Sequence, residues 1–258
     1  MDGENPGLTK PLWIPKPGGV ATQLAVDEWE ADNHVKGCPF CRNEPNSLPC
    51  VNDQDYNTKI RRISAGLPQD GTGKSFENWN HLGKPKVSKA LLEVQRFAGE
   101  PKGLLVLAGP RGTGKTHLAL AVAEQRIAEE SPVLYSKIPR LLMRLRTSLS
   151  AQPPAMNYQE TFDIWANTPM AIFDDLGQER DSDWVQESLL LLLDMRYESR
   201  TPTIITTNLD GQGIKDRYGY ALFDRLTDIG TGITKQIQCN WESYRQQEEN
   251  VHRTNTTS

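Results

Sequence analysis

The sequence predicts an α/β fold built around a parallel sheet, preceded by a small irregular module. From Lys102 to about Asn240, short apolar segments alternate with helical segments, which is typical of parallel strands joined by helices. A glycine-rich segment follows the first of these strands, and a run of helix formers comes next. Residues 1 to about 100 are rich in Pro, Gly, Asn and Asp, with only short apolar pieces, and are expected to be irregular. We therefore expect a module over 1–74, an α/β domain over 75–241 and a polar tail over 242–258.

The order of apolar and helical segments sets the expected elements. Each short apolar run reads as a buried strand, and each longer amphipathic run reads as a helix. Pro153 and Pro154 separate two of the helical segments. Strands are expected at 103–108, 132–136, 169–173, 202–207 and, more weakly, 233–238. Helices are expected at about 115–130, 138–149, 158–166 and 183–199.

Composition limits the kinds of protein that this chain can be. The net charge of -4 argues against a globally basic nucleic-acid coat, so that any DNA contact is a local patch. No apolar run approaches the length of a membrane span, about 18 residues, and the first residues do not resemble a signal peptide. We therefore expect a cytoplasmic protein without a membrane partner, in which cysteines bind metal or pack rather than form disulfides.

Residues 109–116 match the phosphate-loop pattern G-x-x-x-x-G-K-[ST] at every defined position. In such a loop, backbone N–H groups and the following helix N-terminus bind the phosphates of a nucleotide. Lys115 would neutralise β- and γ-phosphate charge, and the Thr116 hydroxyl would bind Mg²⁺. The predicted ATP-binding residues are Gly109, Pro110, Arg111, Gly112, Thr113, Gly114, Lys115 and Thr116.

A second glycine segment upstream has only the end of this pattern. Residues 71–75 finish with Lys74 and Ser75, but Pro68 stands where the first glycine is required. No apolar strand precedes the segment. We interpret it as a loop.

Two later strands end in polar residues that suit nucleotide hydrolysis. Asp174 and Asp175 follow an apolar run about sixty residues after the loop. In a strand beside the phosphate loop, Asp174 would bind Mg²⁺ and Asp175 would orient or deprotonate the attacking water. Asn208 directly follows the run 201–207 and would contact the γ-phosphate or that water. The alternative is a turn residue, since Asn is common in turns.

These residues together resemble the AAA+ ATPases. GPRGTGKT resembles Walker A, AIFDDLG resembles Walker B, and TIITTNL resembles the strand that ends in the sensor 1 Asn. In that family an Arg at the place of Arg225 is the arginine finger, which reaches the γ-phosphate bound by a neighbouring subunit. The resemblance thus implies an ATPase that self-assembles. The alternative for Arg225 is a helix-surface residue paired with Asp224 or Asp228.

Three stretches are similar to one branch of this family, the DnaC/DnaI/IstB branch. They are AIFDDLG, the pair Arg196-Tyr197 before PTIITTNL, and ALFDRL. This branch contains bacterial and phage loaders of hexameric replicative helicases and ATPase helpers of transposases. Residues 75–79 resemble the segment in which an aromatic packs near the adenine, with core packing as the alternative. The branch implies an ATP-dependent helicase loader, with a transposase helper or a nucleotide-binding adaptor without turnover as alternatives. About thirty residues follow Arg225, too few for a helical lid, so Arg245 is a poor candidate for a sensor 2 residue.

Three cysteines in the amino-terminal module suggest a zinc site. Cys38 and Cys41 form a C-x-x-C pair, and Cys50 follows nine residues later. A tetrahedral Zn²⁺ site needs a fourth ligand, for which His34 is nearest, with His81 and Cys239 more distant. A segment so poor in apolar residues needs another source of stability, which a metal supplies. Loaders of the DnaI type are similar in having a zinc-bearing module that binds the helicase. Free thiols are the alternative.

Four cations on or beside the second predicted helix form a candidate DNA surface. Arg140 and Arg144 are four residues apart and share one face of that helix. In a ring of AAA+ subunits such cations would bind the phosphates of single-stranded DNA. A solvated helix face is the alternative. The candidate DNA residues are Lys137, Arg140, Arg144 and Arg146.

Overall fold

The computed structural model describes residues 54–68, 74–79, 84–152 and 155–244. The chain divides between Ser64 and Ala65 into two units. The described residues of the first unit form helix α1 (Gln54–Ser64). The second unit contains α2 (Pro85–Gly99), β1 (Leu104–Ala108), α3 (Lys115–Ala128), β2 (Leu134–Lys137), α4 (Ile138–Ser148), α5 (Tyr158–Asn167), β3 (Ala171–Leu176), α6 (Asp183–Glu198), β4 (Thr203–Thr207), α7 (Gly211–Thr227) and β5 (Thr234–Gln238).

The five strands form one parallel sheet in the order β2-β3-β4-β1-β5. This confirms the predicted α/β fold, and each strand overlaps its predicted range. Strand β4 lies between β1 and β3, and the carboxyl end of β3 still reaches the phosphate loop, where Asp174 Oδ1 accepts from the Thr116 hydroxyl. Residue spacing gives the order of strands along the chain but not their order across the sheet.

Both faces of the sheet are covered, as expected for parallel strands. Successive side chains of a strand point to opposite faces. Leu105 and Leu107 accordingly join the core cluster that contains α2 and α3, whereas Leu104 and Val106 join the cluster that contains α4 to α7. All residues of β1 and β4 are buried, which explains their continuous apolar or Thr-rich sequences. The carboxyl ends of these central strands carry the glycine loop and Asn208.

Three of the described helices lie outside the predicted helix ranges. Helices α1 and α2 lie in the stretch to about residue 100, in which only irregular structure was predicted, and α7 follows β4. Helix α2 starts at Pro85, and its Val87, Ala90, Val94 and Phe97 are buried at helical spacing. Surrounding Gly and Pro residues masked this spacing in the sequence.

Helix α7 is two helical pieces joined at a glycine. Asp210 Oδ1 accepts the Gly213 N–H at 2.8 Å and caps the first piece. Gly219 has φ 79°, so the helix bends there before the piece that carries Arg225. The bend sets the direction in which that second piece leaves the sheet.

Arg196 ties α6 to the start of β4 and the end of α5. Its guanidinium is fully buried and donates to the backbone oxygens of Trp165, Ala166, Thr168 and Pro202 and to the Thr203 hydroxyl. Carbonyls at a helix C-terminus lack helical partners, and a cation near them is favourable. Arg196, one residue of the Arg196-Tyr197 pair on which the resemblance to the branch rests, therefore has a structural role.

The described helices do not include one that is long and apolar enough to cross a membrane.

Candidate nucleotide-binding site

The glycine loop joins β1 to α3 at the carboxyl edge of the sheet. Gly112 and Gly114 have φ of 80° and 87°, values that disfavour any residue with a Cβ. A Cβ on Gly112 would meet the Ser243 side chain, and a Cβ on Gly114 would meet the Trp79 ring. These two glycines are thus required both for backbone conformation and for close packing by two other segments of the chain.

Lys115 lies at the start of α3 with its ammonium group turned back over the loop. Its Nζ donates to the carbonyls of Gly109 and Pro110, both at 2.7 Å, and to Asn208 Oδ1 at 2.9 Å. Burial lowers the pKa of Lys115, and nearby acidic groups, among them Asp174 and Asp175, oppose that shift. The structure thus brings the predicted residues Lys115 and Asn208 together, although 93 positions separate them.

Asp174 is fully buried and is surrounded by hydroxyl groups. Its Oδ1 accepts from Thr116 Oγ1 at 2.8 Å and from Thr206 Oγ1 at 2.6 Å, and its Oδ2 accepts from the Tyr135 hydroxyl at 2.8 Å. No Lys or Arg forms an ion pair with it among the described residues. Three hydroxyl groups therefore hold the buried carboxylate of Asp174. One of them belongs to Thr116, in the first turn of the helix that follows the phosphate loop.

Asp174 and Asp175 form an irregularity in the sheet. Phe173 pairs with Ile205 and Leu176 pairs with Thr207, so both aspartates face the single residue Thr206. Asp175 has φ 62°, a left-handed conformation that costs a non-glycine residue roughly 1 kcal/mol. Its N–H donates to Thr206 Oγ1 at 2.9 Å, and its Oδ2 lies 3.1 Å from Lys137 Nζ. The bulge turns the two neighbouring carboxylates into different surroundings.

Sequence reasoning missed two residues of this site, Tyr135 and Thr206. The Thr206 hydroxyl bonds both aspartate residues, and Tyr135 approaches Asp174 from β2. Both lie near the carboxyl ends of predicted strands, and this position was the one sign in the sequence that they could belong to the site. Their closeness to Asp174 depends on the order of the strands across the sheet, which the sequence does not give.

The remaining loop residues contact the segment after β3. Arg111 donates to Gln178 Oε1 at 2.8 Å, and the Thr113 hydroxyl donates to the Pro110 carbonyl at 3.0 Å. Glu179 is buried and bonds the Gly177 N–H, Arg217 and the Tyr218 hydroxyl. The turn after Asp175 is therefore fixed to both the glycine loop and α7.

An aromatic cluster borders the glycine loop on its other side. Trp79 makes edge contacts with His117 and Tyr244, at ring-centroid distances of 5.2 and 5.5 Å. His117 Nε2 lies 2.9 Å from the Ser75 carbonyl, and burial lowers the pKa of His117. Phe76 packs against the same core cluster. Trp79 thus belongs to the core and touches the glycine loop.

Arg225 lies on the second piece of α7 with intrachain partners. Its Nε lies 2.7 Å from Asp194 Oδ1 on α6, and its NH1 group lies 3.0 Å from Asp224 Oδ2. The guanidinium also covers the ring of Tyr197 at 5.0 Å. Asp224 is one of the two partners that the alternative interpretation named, and Asp194 was not expected.

The candidate DNA residues have three different environments. Lys137 pairs with Asp175, and Arg146 lies over the Trp184 ring at 4.8 Å. Arg140 and Arg144 line a surface cavity with Tyr135 and Ser136. Partial burial and the charge of Arg140 lower the pKa of Arg144, and neither arginine has an acidic partner among the described residues. The cavity is therefore cationic and adjoins the hydroxyl that bonds Asp174.

A profile of IstB-like ATP binding proteins matches residues 92–251, more than half of the chain. The protein belongs to this family. It is a member of the DnaC/DnaI/IstB branch of the AAA+ ATPases, as the motifs predicted.

Curated relatives of this IstB-like protein include replicative helicase loaders. The loader DnaC of Buchnera aphidicola subsp. Acyrthosiphon pisum is 26% identical over 192 residues, covering 73% of this chain and 76% of the relative. The loader DnaI of Bacillus subtilis is 27% identical over 210 residues, covering 79% of this chain and 63% of the relative.

Solved structures share the fold of this IstB-like protein. The DnaC helicase loader has a TM-score of 0.56 at 22% identity, covering 66% of this chain and 99% of that one. The initiator DnaA, bound to AMPPCP and single-stranded DNA, has a TM-score of 0.57 at 16% identity, covering 66% and 51%. These likenesses establish an AAA+ fold for the second unit.

Some expectations for this IstB-like protein lie outside the described residues. They are the zinc ligands His34, Cys38, Cys41 and Cys50, the upstream loop at 71–73, and the remote candidates His81 and Arg245. The described residues contain no cluster of three potential metal ligands. The absence of a helical lid likewise concerns residues beyond Tyr244, which are not described.

Proposed function

We propose that this protein is an ATP-dependent loader of a hexameric replicative helicase onto single-stranded DNA. The observation that carries the proposal is the meeting of Lys115, Thr116, Asp174, Asp175 and Asn208 at one edge of the sheet. The kinship with relatives named as helicase loaders supports the choice of partner. We propose in addition that the module over 1–74 binds the helicase.

The chemistry of the site fits a nucleotide with Mg²⁺. The Thr116 hydroxyl and the Asp174 carboxylate offer two hard oxygen ligands 2.8 Å apart, the kind that Mg²⁺ takes. When bound, Mg²⁺ supplies positive charge that offsets the charge of the phosphate oxygens. Lys115 would exchange its loop carbonyls for phosphate oxygens, since these carry a negative charge that the neutral carbonyl oxygens lack.

Three side chains would have separate roles in the hydrolytic step. Asp175, which is nearer to solvent than Asp174, would accept a proton from the attacking water. Asn208 would orient that water or the γ-phosphate through its amide group. Arg225 of a second copy would approach the γ-phosphate as an arginine finger, which requires it to leave Asp194.

The cationic cavity supports a role in binding DNA. Arg140 and Arg144 have no acidic partner among the described residues, so a phosphodiester would relieve their mutual repulsion. Lys137 and Arg146 flank them, with partners of their own that a phosphate would have to displace. We assign single-stranded DNA to this surface because the backbone of a single strand can bend its phosphates into a cavity more readily than a stiff duplex can.

A second candidate function is an ATPase helper of a transposase, since the matched family is named for IstB. A third is an adaptor that binds nucleotide without turnover. A pull-down from the native host, with and without ATP, separates the first two by the partner recovered. A replicative helicase supports the proposal, and a transposase overturns it.

ATP binding and phosphate release by the purified protein test the site itself. Lys115→Ala should lose nucleotide binding, and Asp175→Asn should bind ATP but not hydrolyse it. Equal ATP affinity in Lys115→Ala and wild type would contradict the site assignment, and binding without turnover in wild type would favour the adaptor.

Charge reversal tests the DNA surface. Arg140→Glu and Arg144→Glu should weaken binding of a single-stranded oligonucleotide and flatten its salt dependence. Lys102→Glu is the matched control, because Lys102 is exposed and precedes β1 at the opposite edge of the sheet. A loss in the control as large as in the two arginine variants would contradict the surface.

A further inference from the structure

The segment after β5 lies across the glycine loop. Cys239 extends the strand pairing through its N–H, which donates to the Ala108 carbonyl at 2.7 Å. Beyond it, the Trp241 indole Nε1 donates to the Thr113 carbonyl at 2.9 Å, and the Tyr244 N–H donates to the Gly112 carbonyl at 3.0 Å. The sequence predicted a polar tail from residue 242, yet its first residues contact the loop. We call Trp241–Tyr244 the strap.

The two strap bonds fix the orientation of two consecutive peptide units. In a planar trans peptide the C=O and the N–H point in opposite directions. The carbonyl of Gly112 is held toward the strap, so the N–H of Thr113 points away from it. The carbonyl of Thr113 is held in the same way, so the N–H of Gly114 also points away. Neither N–H has a hydrogen-bond acceptor in the part of the chain that the structure describes.

Packing keeps the strap in place. The Ser243 side chain lies where a Cβ of Gly112 would be, and Tyr244 contacts the Trp79 ring that covers Gly114. Trp241 and Tyr244 are half-buried against the core cluster of α2 and α3. Glu242 Oε2 lies 2.7 Å from Lys84 Nζ at the start of α2. The strap is therefore anchored on both sides of the loop.

We propose that the strap is a positioning element of the nucleotide site, with Trp241 as its principal side chain. By holding the carbonyls of Gly112 and Thr113, it directs the N–H groups of Thr113 and Gly114 toward the phosphates. The ligand then does not have to reorient these peptides, which lowers the cost of binding. This inference rests on the proposed binding of ATP.

Trp241→Phe tests the inference because it keeps an aromatic ring and removes only the donor. The dissociation constants of ADP and of inorganic pyrophosphate should both rise by about tenfold, the effect of one lost hydrogen bond. Pyrophosphate has no base, so a parallel loss identifies the phosphate-binding backbone. The turnover number should change less than KM, because the strap acts equally on bound substrate and transition state.

A matched control accompanies this variant. Trp184→Phe makes the same change on α6, on the other face of the sheet, and should leave both affinities unaltered. The thermal midpoint of each variant is measured beside wild type.

Unchanged ADP affinity in Trp241→Phe would overturn the inference. So would a loss confined to ADP, since that would assign Trp241 to the base. A loss of affinity matched by a large fall of the thermal midpoint would reduce Trp241 to core packing. Absence of ADP binding in wild type would instead refute the proposed function.

Discussion

Lys137 Nζ lies 3.1 Å from Asp175 Oδ2, so a residue of the candidate DNA surface holds the carboxylate assigned to water activation. The side chains are 57% and 29% exposed. An ion pair of this exposure is weak and easily exchanged, and a DNA phosphate offers Lys137 an alternative partner. The candidate DNA surface and the proposed hydrolytic site are therefore linked by one ion pair.

Lys137→Gln should raise ATP turnover in the absence of DNA, because Asp175 is no longer held away from water. An exposed ion pair is worth at most about 1 kcal/mol, which limits the increase to roughly fivefold. Adding single-stranded DNA should then stimulate turnover little further. Phosphate release with and without an oligonucleotide measures both effects. Normal basal turnover with full stimulation in Lys137→Gln would exclude the coupling.

Alkaline pH should destabilise the native fold through two buried tyrosines. Burial raises the pKa of Tyr135 beside Asp174 and the pKa of Tyr218 beside Glu179. An unfolded tyrosine loses its proton near pH 10, so above this pH the unfolded chain binds fewer protons than the native one. The unfolding free energy then falls as pH rises, by up to about 1.4 kcal/mol per pH unit for each tyrosine.

Urea unfolding between about pH 9 and about pH 11 measures this fall. Tyr135→Phe should make this fall shallower, because one of the buried tyrosines no longer titrates. At neutral pH the same variant should lose about 1–3 kcal/mol, because Asp174 loses a buried hydrogen-bond donor. An identical slope in Tyr135→Phe and wild type would disprove the assignment.

Arg225→Ala should bind ATP normally but fail to hydrolyse it, since an arginine finger acts on the neighbouring subunit. Mixing it with Asp175→Asn should restore some turnover, because mixed interfaces pair an intact finger with an intact site. Asp194→Asn breaks the ion pair between α6 and α7 and keeps the finger, so it should retain turnover. Two results together would contradict the finger role: loss of turnover in Asp194→Asn, and no recovery when Arg225→Ala is mixed with Asp175→Asn. Arg225 would then be a structural residue that links α6 to α7 by an ion pair.

Elemental analysis of protein purified without chelator should find about one zinc per chain. Cys38→Ser should lose that zinc and helicase binding but keep ATP binding. Cys239→Ala is the matched control and should keep the zinc: burial raises the pKa of Cys239 to about 12, which disfavours the thiolate that a metal requires. A zinc content near zero in wild type would leave these cysteines as ordinary thiols.

The residues that sequence reasoning found are those that local pattern determines. The glycine loop needs a strand before it and a helix after it, and both are visible in a short window around Lys115. Asp174 and Asn208 were found because polar residues end apolar runs. Tyr135, Thr206 and Trp241 were missed because their roles depend on strand order and on a segment far away in sequence. No pattern around Trp241 indicates that its indole reaches Thr113.

The glycine loop also joins segments from the two ends of the described part of the second unit. Trp79, from its beginning, packs on Gly114, and Ser243, from its end, packs on Gly112. A ligand bound to this loop therefore stabilises the closure of the whole domain, by about 2.7 kcal/mol at a concentration one hundred times its dissociation constant. Proteases act on opened chains, so the lifetime of this protein in the cell should follow the supply of nucleotide.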